Sequence, residues 1–185
     1  AGLVLVLLGY GMRYLRWRLM LYALELKPSF IADARIWMAS YAFTATPGKS
    51  GEAIRSLLLH QHCNLPIPPT LMALLVERLS DATAVLLLLA LNWSVLVHLK
   101  IPLMLPIFGA FIMFASFLFL SKGLIRRNLF RSVIQRSLTS QIAEATEESF
   151  VALKTLLQPW LLLVSTLIGA LAWSMEGLSL FLLLR

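Results

Sequence analysis

Between Pro159 and Leu184 the chain carries one ionisable side chain, Glu176, in a run otherwise dominated by Leu, Ala and other apolar residues. A helix rises 1.5 Å per residue, so about 20 such residues cross a hydrocarbon core about 30 Å thick. Few other folds suit such a run, because lipid offers no water to exposed backbone N–H and C=O groups and a helix bonds its own. Two further apolar runs, Pro68 to Val97 and Ile101 to Leu120, are of similar length. The expected fold class is all-α: a polytopic helical membrane protein forming a single domain over residues 1–185.

Composition points the same way. The chain is 59% hydrophobic and 14% charged, with a mean hydropathy of +0.83; a soluble domain carries about 25% charged residues. A net charge of +7 would suit nucleic acid. The cations instead gather at the ends of apolar runs, without a continuous basic face, so no nucleic-acid partner is expected. Cys63 is the single cysteine, which excludes an internal disulfide framework and a structural zinc site built on thiols. The chain starts inside an apolar run at Ala1 and stops at Arg185 directly after another. It is therefore expected to be a fragment truncated at both ends, with residues 1 to 12 the tail of a span whose start is missing; a signal-anchor remnant is the alternative.

Two basic blocks orient the spans. Arg13, Arg16, Arg18 and Lys27, interleaved with Tyr14, Trp17 and Tyr22, read as an interfacial segment on the cytoplasmic side; Lys122, Arg126, Arg127, Arg131 and Arg136 read likewise. The run from Pro159 then crosses outward, Ile101 to Leu120 crosses inward, and Pro68 to Val97 crosses outward. The stretch between Lys27 and Pro68 consequently has both flanks inside. Its halves, Ile31 to Thr46 and Glu52 to His62, are roughly 24 Å and 16 Å as helices, too short to span comfortably.

Those halves flank Thr46-Pro-Gly-Lys-Ser-Gly51. A P-loop would need a glycine where Phe43 stands, and the preceding residues lack a β-branched strand pattern, so nucleotide is not the expected ligand. The segment reads as the tip of a re-entrant helical hairpin, with Pro47 ending the first half-helix and Ser50 capping the second. The N–H groups there, beside Lys49 and Ser50, suit a phosphate or carboxylate. An ordinary turn between two surface helices is the alternative.

Glu77, Arg78 and Asp81 lie inside the run from Pro68, with Glu77 roughly 14 Å and Asp81 roughly 20 Å from its start. A central charge costs about 2.5 to 3.5 kcal/mol on insertion scales, so these side chains should face a bundle interior or a wet cavity. Thr70, Ala73, Glu77, Asp81 and Ala84 share one helical face, and Arg78 reaches Asp81 at i to i+3. Two readings stay open: a polar groove for a lipid headgroup, or buried ion pairs that fasten helices together. Glu176 shares a side with Ser165, Gly169 and Trp173, and either caps a groove wall or reaches interfacial water.

Weaker signals complete the chain. His60 and His62 point to different sides of a helix, so a solvated helix end is expected there and no metal site. Gln141 to Gln158 sets Ile142, Ala145, Phe150, Leu153 and Leu157 apart from Glu144, Glu147, Glu148 and Lys154, as in an amphipathic cytoplasmic helix. No repeat and no Ser/His/Asp arrangement is present.

Arg16-Trp-Arg18, Pro47-Gly-Lys-Ser-Gly-Glu-Ala-Ile-Arg55, Glu77-Arg-Leu-Ser-Asp81 and Trp173 to Arg185 together resemble the lysylphosphatidylglycerol synthase transmembrane-region family, the flippase-like domain, in the family's order. That family includes the lipid-translocating part of the bacterial multiple peptide resistance factor. Its Pro-Gly-basic-x-Gly-acidic-x-x-Arg pattern falls on Pro47, Gly48, Lys49, Gly51, Glu52 and Arg55, and its Glu-Arg pair on Glu77 and Arg78. The resemblance implies a multi-pass protein of the bacterial inner membrane that moves a charged phospholipid or a lipid-linked envelope precursor. Lys49, Ser50, Gly51, Glu52 and Arg55 would meet the headgroup, and Glu77, Arg78, Asp81 and Glu176 would line an intramembrane path. The aminoacyl-transfer domain of the synthases is not in this chain, so neither enzymatic activity nor a cofactor is expected. The competing expectation is a non-transporting scaffold for an envelope-biosynthesis protein such as a glycosyltransferase.

Overall fold

Pro159 opens the most apolar helix because its fixed φ suits the first helical position and its missing N–H would be unbonded there anyway. In the computed structural model, which describes residues 2–42, 52–92 and 140–184, this helix is the last of six. They are α1 (Gly2–Ala23), α2 (Phe30–Tyr41), α3 (Ile54–Cys63), α4 (Ile67–Leu91), α5 (Ser140–Leu156) and α6 (Pro159–Leu183). The described residues contain no strand. The run Ile101 to Leu120, the second basic block and the Pro47–Gly51 tip lie outside the described residues.

Among the described helices, α6 has both the length and the apolarity to cross a membrane. It buries Ser165, Gly169, Ala172 and Ser179 and exposes Leu163, Leu167, Leu171 and Leu178. A helix with small and polar residues inside and leucines outside suits an apolar surround, where helices associate through close packing and hydrogen bonds. α1 is built alike, exposing Leu3, Val4, Leu7 and Leu8 while burying Arg13 and Arg16. At 22 and 25 residues, α1 and α4 have spanning length. Each also carries three charged side chains: Arg13, Arg16 and Arg18 in α1, and Glu77, Arg78 and Asp81 in α4.

The chain divides into two compact units. The first comprises Ala1–Arg16, Glu77–Arg126 and Leu157–Arg185. Within it α1 and α6 run antiparallel: Gly2 lies against Ser179, Gly9 against Ala172, and Arg16 against Gly169. Ser179 Oγ donates to the Gly2 carbonyl at 3.0 Å.

The second unit comprises Trp17–Val76 and Arg127–Leu156. α1 ends where Glu25 takes a left-handed φ of 59°. The Leu26 N–H then reaches back to the Leu21 carbonyl and closes the last turn. Ser29 caps α2, its hydroxyl accepting from the Ala32 N–H. α2 and α3 pack together, and at about 18 and 15 Å neither has spanning length. They correspond to the two expected half-helices. The second starts later than expected: Glu52 and Ala53 form a 3₁₀ turn and Ala53 holds the cap position without a side-chain bond. Ser50, the expected cap, lies outside the described residues. Asn64, at φ 53°, ends α3. α5 is amphipathic as expected, exposing Glu144, Glu147 and Lys154, but the residues it buries are Ala152 and Leu156, while the expected Ala145, Phe150 and Leu153 are half-buried and Leu157 is buried just after the helix.

Candidate functional site

In the first unit the central group is Arg16, fully buried on α1. Glu77 and Asp81 stand one turn apart on α4, and the planar guanidinium bridges them. Its Nη1 donates to Asp81 Oδ1 at 2.7 Å and its Nη2 to Glu77 Oε1 at 3.1 Å. Arg78 flanks the pair, 3.5 Å from Glu77 Oε1 and 3.5 Å from Asp81 Oδ2. The latter is the i to i+3 contact read from the sequence. The expected α4 face is buried at Thr70, Ala73, Glu77, Asp81 and Ala84.

Arg13 and Arg16 differ from expectation. The sequence reads them as part of an interfacial segment on the cytoplasmic side; both side chains are buried. The reason is the supply of carboxylates. Arg13 Nη2 lies 2.9 Å from Glu176 Oε1, and its guanidinium sits 4.8 Å from the centre of the Trp173 ring. Glu176 thus meets an arginine instead of water alone, with 29% of its side chain exposed. Three guanidinium groups face three carboxylates, which offsets much of the cost of holding six charges in an apolar helix set.

Gly169 makes the central bridge possible. A Cβ at that position would lie 2.7 Å from Arg16 Nη1 and 3.4 Å from Asp81 Oδ1. Any side chain there would occupy the space the arginine uses.

The second unit holds its own cluster at the α2–α3 hairpin. Arg55, 1% exposed, donates from Nε to Ser40 Oγ at 3.1 Å, tying the start of α3 to the end of α2. Its guanidinium lies 4.6 Å from the Trp17 ring centre and 5.8 Å from that of Trp37, cation–π geometry for both. Glu52 Oε2 is 3.9 Å away. Trp17 Nε1 donates to Asp33 Oδ1 at 3.1 Å, and Arg18 Nη1 reaches Asp33 Oδ2 at 3.4 Å and the Pro28 carbonyl.

Of the expected headgroup residues, Glu52 and Arg55 are brought together, while Lys49, Ser50 and Gly51 lie outside the described residues. Glu77, Arg78 and Asp81 meet in one network, and Glu176 faces Arg13 in the same unit. His60 and His62 are exposed at the end of α3, with His60 Nδ1 2.9 Å from the Leu65 carbonyl oxygen. Sequence reasoning named Arg13, Arg16 and Trp17 as interfacial and Gly169 as part of a shared helix side without seeing their partners, and it missed Asp33 and Trp37. One signal was available: three arginines in one span-length stretch require acids elsewhere.

No curated protein and no solved structure matches this chain. The family described as "Lysylphosphatidylglycerol synthase TM region" matches residues 1–185. With charged side chains buried on long helices whose leucines face outward, the match extends over every element described above, and the chain belongs to that family.

Proposed function

We propose that the chain is a multi-pass module of the bacterial inner membrane that binds and translocates an anionic or aminoacylated phospholipid, or a lipid-linked envelope precursor. The observation that carries this reading is the buried network of Arg16, Glu77 and Asp81, set in long helices of a chain that belongs to a lipid-associated membrane family. The charges that make α1 and α4 poor spans on composition pair with one another, so both helices join α6 as spans. In this reading the α2–α3 pair is the re-entrant hairpin, with Lys49, Ser50, Gly51, Glu52 and Arg55 at the headgroup. Glu77, Arg78, Asp81 and Glu176 supply polar partners along the path. A charged headgroup in such a path finds opposite charges already in place, which offsets the cost of its leaving water.

A scaffold for an envelope-biosynthesis partner is the second reading, favoured by the even charge balance of the network. Reconstitution in vesicles carrying fluorescent phospholipids separates the two. Transport predicts that an external quencher reaches inner-leaflet probe faster with protein than without it, and that Glu77→Gln with Asp81→Asn slows this while assembly survives. Equal rates in empty and protein-containing vesicles leave the scaffold.

A further inference from the structure

Among its described residues the first unit is balanced in charge, three arginines against three carboxylates, and unbalanced in hydrogen bonding. Among the described residues, Arg13 Nε, Arg16 Nε, Ser165 Oγ and Trp173 Nε1 are buried atoms with no hydrogen-bond partner in the protein. Arg13 is 4% exposed, and Arg16 and Ser165 are fully buried. Each of the four atoms carries a hydrogen to donate. Buried donors are nearly always partnered, and a group left unserved is destabilising.

Ser80 Oγ on α4 is a further donor of this kind, and Asp81 Oδ2 an acceptor without a hydrogen bond; the four donors named above share the α1–α6 pair. Ser165, Gly169 and Trp173 follow one another at one-turn intervals along α6, and Arg13 and Arg16 are one turn apart on α1. The two rows meet: the Arg13 guanidinium lies over Trp173, and Arg16 Nη1 lies against Gly169. The whole set extends over about 12 Å of helix. What would serve such a row is an acceptor with several oxygens. Asp81 and Glu77 are already engaged by Arg16, whereas Glu176, the most exposed carboxylate of the set at 29%, can pass to water and release Arg13.

We propose that this α1–α6 row, Arg13, Arg16, Ser165 and Trp173, binds phosphate-type oxygens. Between apolar helices the natural source is the phosphodiester of a lipid headgroup, with free phosphate the other source of the same chemistry. The assignment rests on the lipid-handling reading above and adds a binding site to it. The guanidinium Nε–H groups and the indole N–H hold the oxygens, and the Ser165 hydroxyl donates at the end of the row.

The test uses the full chain purified in detergent, with calorimetric titration of dihexanoyl phosphatidylglycerol, inorganic phosphate and dihexanoylglycerol. Trp173→Phe keeps a ring for Arg13 and removes the indole N–H; Ser165→Ala removes the hydroxyl. The double variant should weaken phosphatidylglycerol binding by about tenfold or more with the melting temperature retained. Arg13→Lys, which keeps the charge facing Glu176 and loses Nε–H, should weaken it several-fold and covers the case of a double variant that does not fold. Phosphate binding that weakens in parallel supports the site with free phosphate as its source. Unchanged affinity in the variants, binding of dihexanoylglycerol equal to that of the phospholipid, or no binding of either phosphate compound overturns it. Lipid binding that responds to these variants in a protein that translocates nothing would remove the transport reading and keep the site. Translocation with binding indifferent to them would do the reverse.

Discussion

At the scale of single residues, Gly169 and Arg16 are coupled by contact. Gly169→Ala places a methyl group 2.7 Å from Arg16 Nη1, and overpacking of this kind costs about 1–3 kcal/mol. Gly177, on the same helix, has nothing within 4 Å of its would-be Cβ. Gly177→Ala should therefore be neutral or gain up to about 1 kcal/mol from helix propensity. Thermal unfolding in detergent compares the two, and equal melting temperatures would deny Gly169 its special place. Arg16→Met leaves Glu77 and Asp81 without their central partner, a loss of about 3–5 kcal/mol by analogy with broken buried pairs. Adding Glu77→Gln and Asp81→Asn should recover much of it, read as the fraction of monodisperse protein on size exclusion. A triple variant no better than the single one would mean that Arg16 matters for packing and not for charge.

At the scale of elements, helix starts and stops follow short-range chemistry. Pro159 at the head of α6 and Ser29 at the head of α2 are signals a sequence displays openly. The α1 stop is less open, because Glu25 occupies a left-handed position that glycine fills at lower cost. Glu25→Gly should stabilise the chain by up to about 1 kcal/mol, and Ser29→Ala should destabilise it by about 1 kcal/mol. Chemical denaturation of the purified protein measures both, and a Glu25→Gly variant less stable than its parent would show that the Glu25 side chain does more than end the helix. The α3 start, at Ile54, falls two residues after the expected Glu52. A 3₁₀ turn at Glu52 and Ala53 precedes the helix, and the side chains of Glu52 and Arg55 beside it are buried, a tertiary fact that no local propensity displays; Ser50, the expected cap, lies outside the described residues.

At the scale of the whole molecule, the antiparallel pairing of α1 with α6 predicts accessibility. With Cys63 replaced by Ser, single cysteines at Leu3 and Leu183, both strongly exposed at one end of that pair, should label from the same side of a sealed vesicle. A cysteine at Gln158, just before α6 and also exposed, should label from the opposite side. If α6 crosses outward, Leu3 and Leu183 are external and Gln158 internal. Labelling of Leu183 and Gln158 from one side would mean that α6 does not cross.

The sequence by itself determined that the described chain is helical and that Glu77, Asp81 and Arg78 share a turn of one long helix. Those facts depend on backbone hydrogen bonding and on the 3.6-residue period, which operate within a segment. It also marked Glu176 as a charge inside an apolar run. Only tertiary structure decided which cation each acid meets. Arg16 lies 61 residues from Glu77 along the chain, and nothing local distinguishes it from an arginine at the membrane surface. The choice is made where α1 passes α4 and α6, because a charge in an apolar helix set is held by whichever opposite charge the packing brings within reach. Gly169 belongs to the same class: its role exists only because Arg16 lies against it.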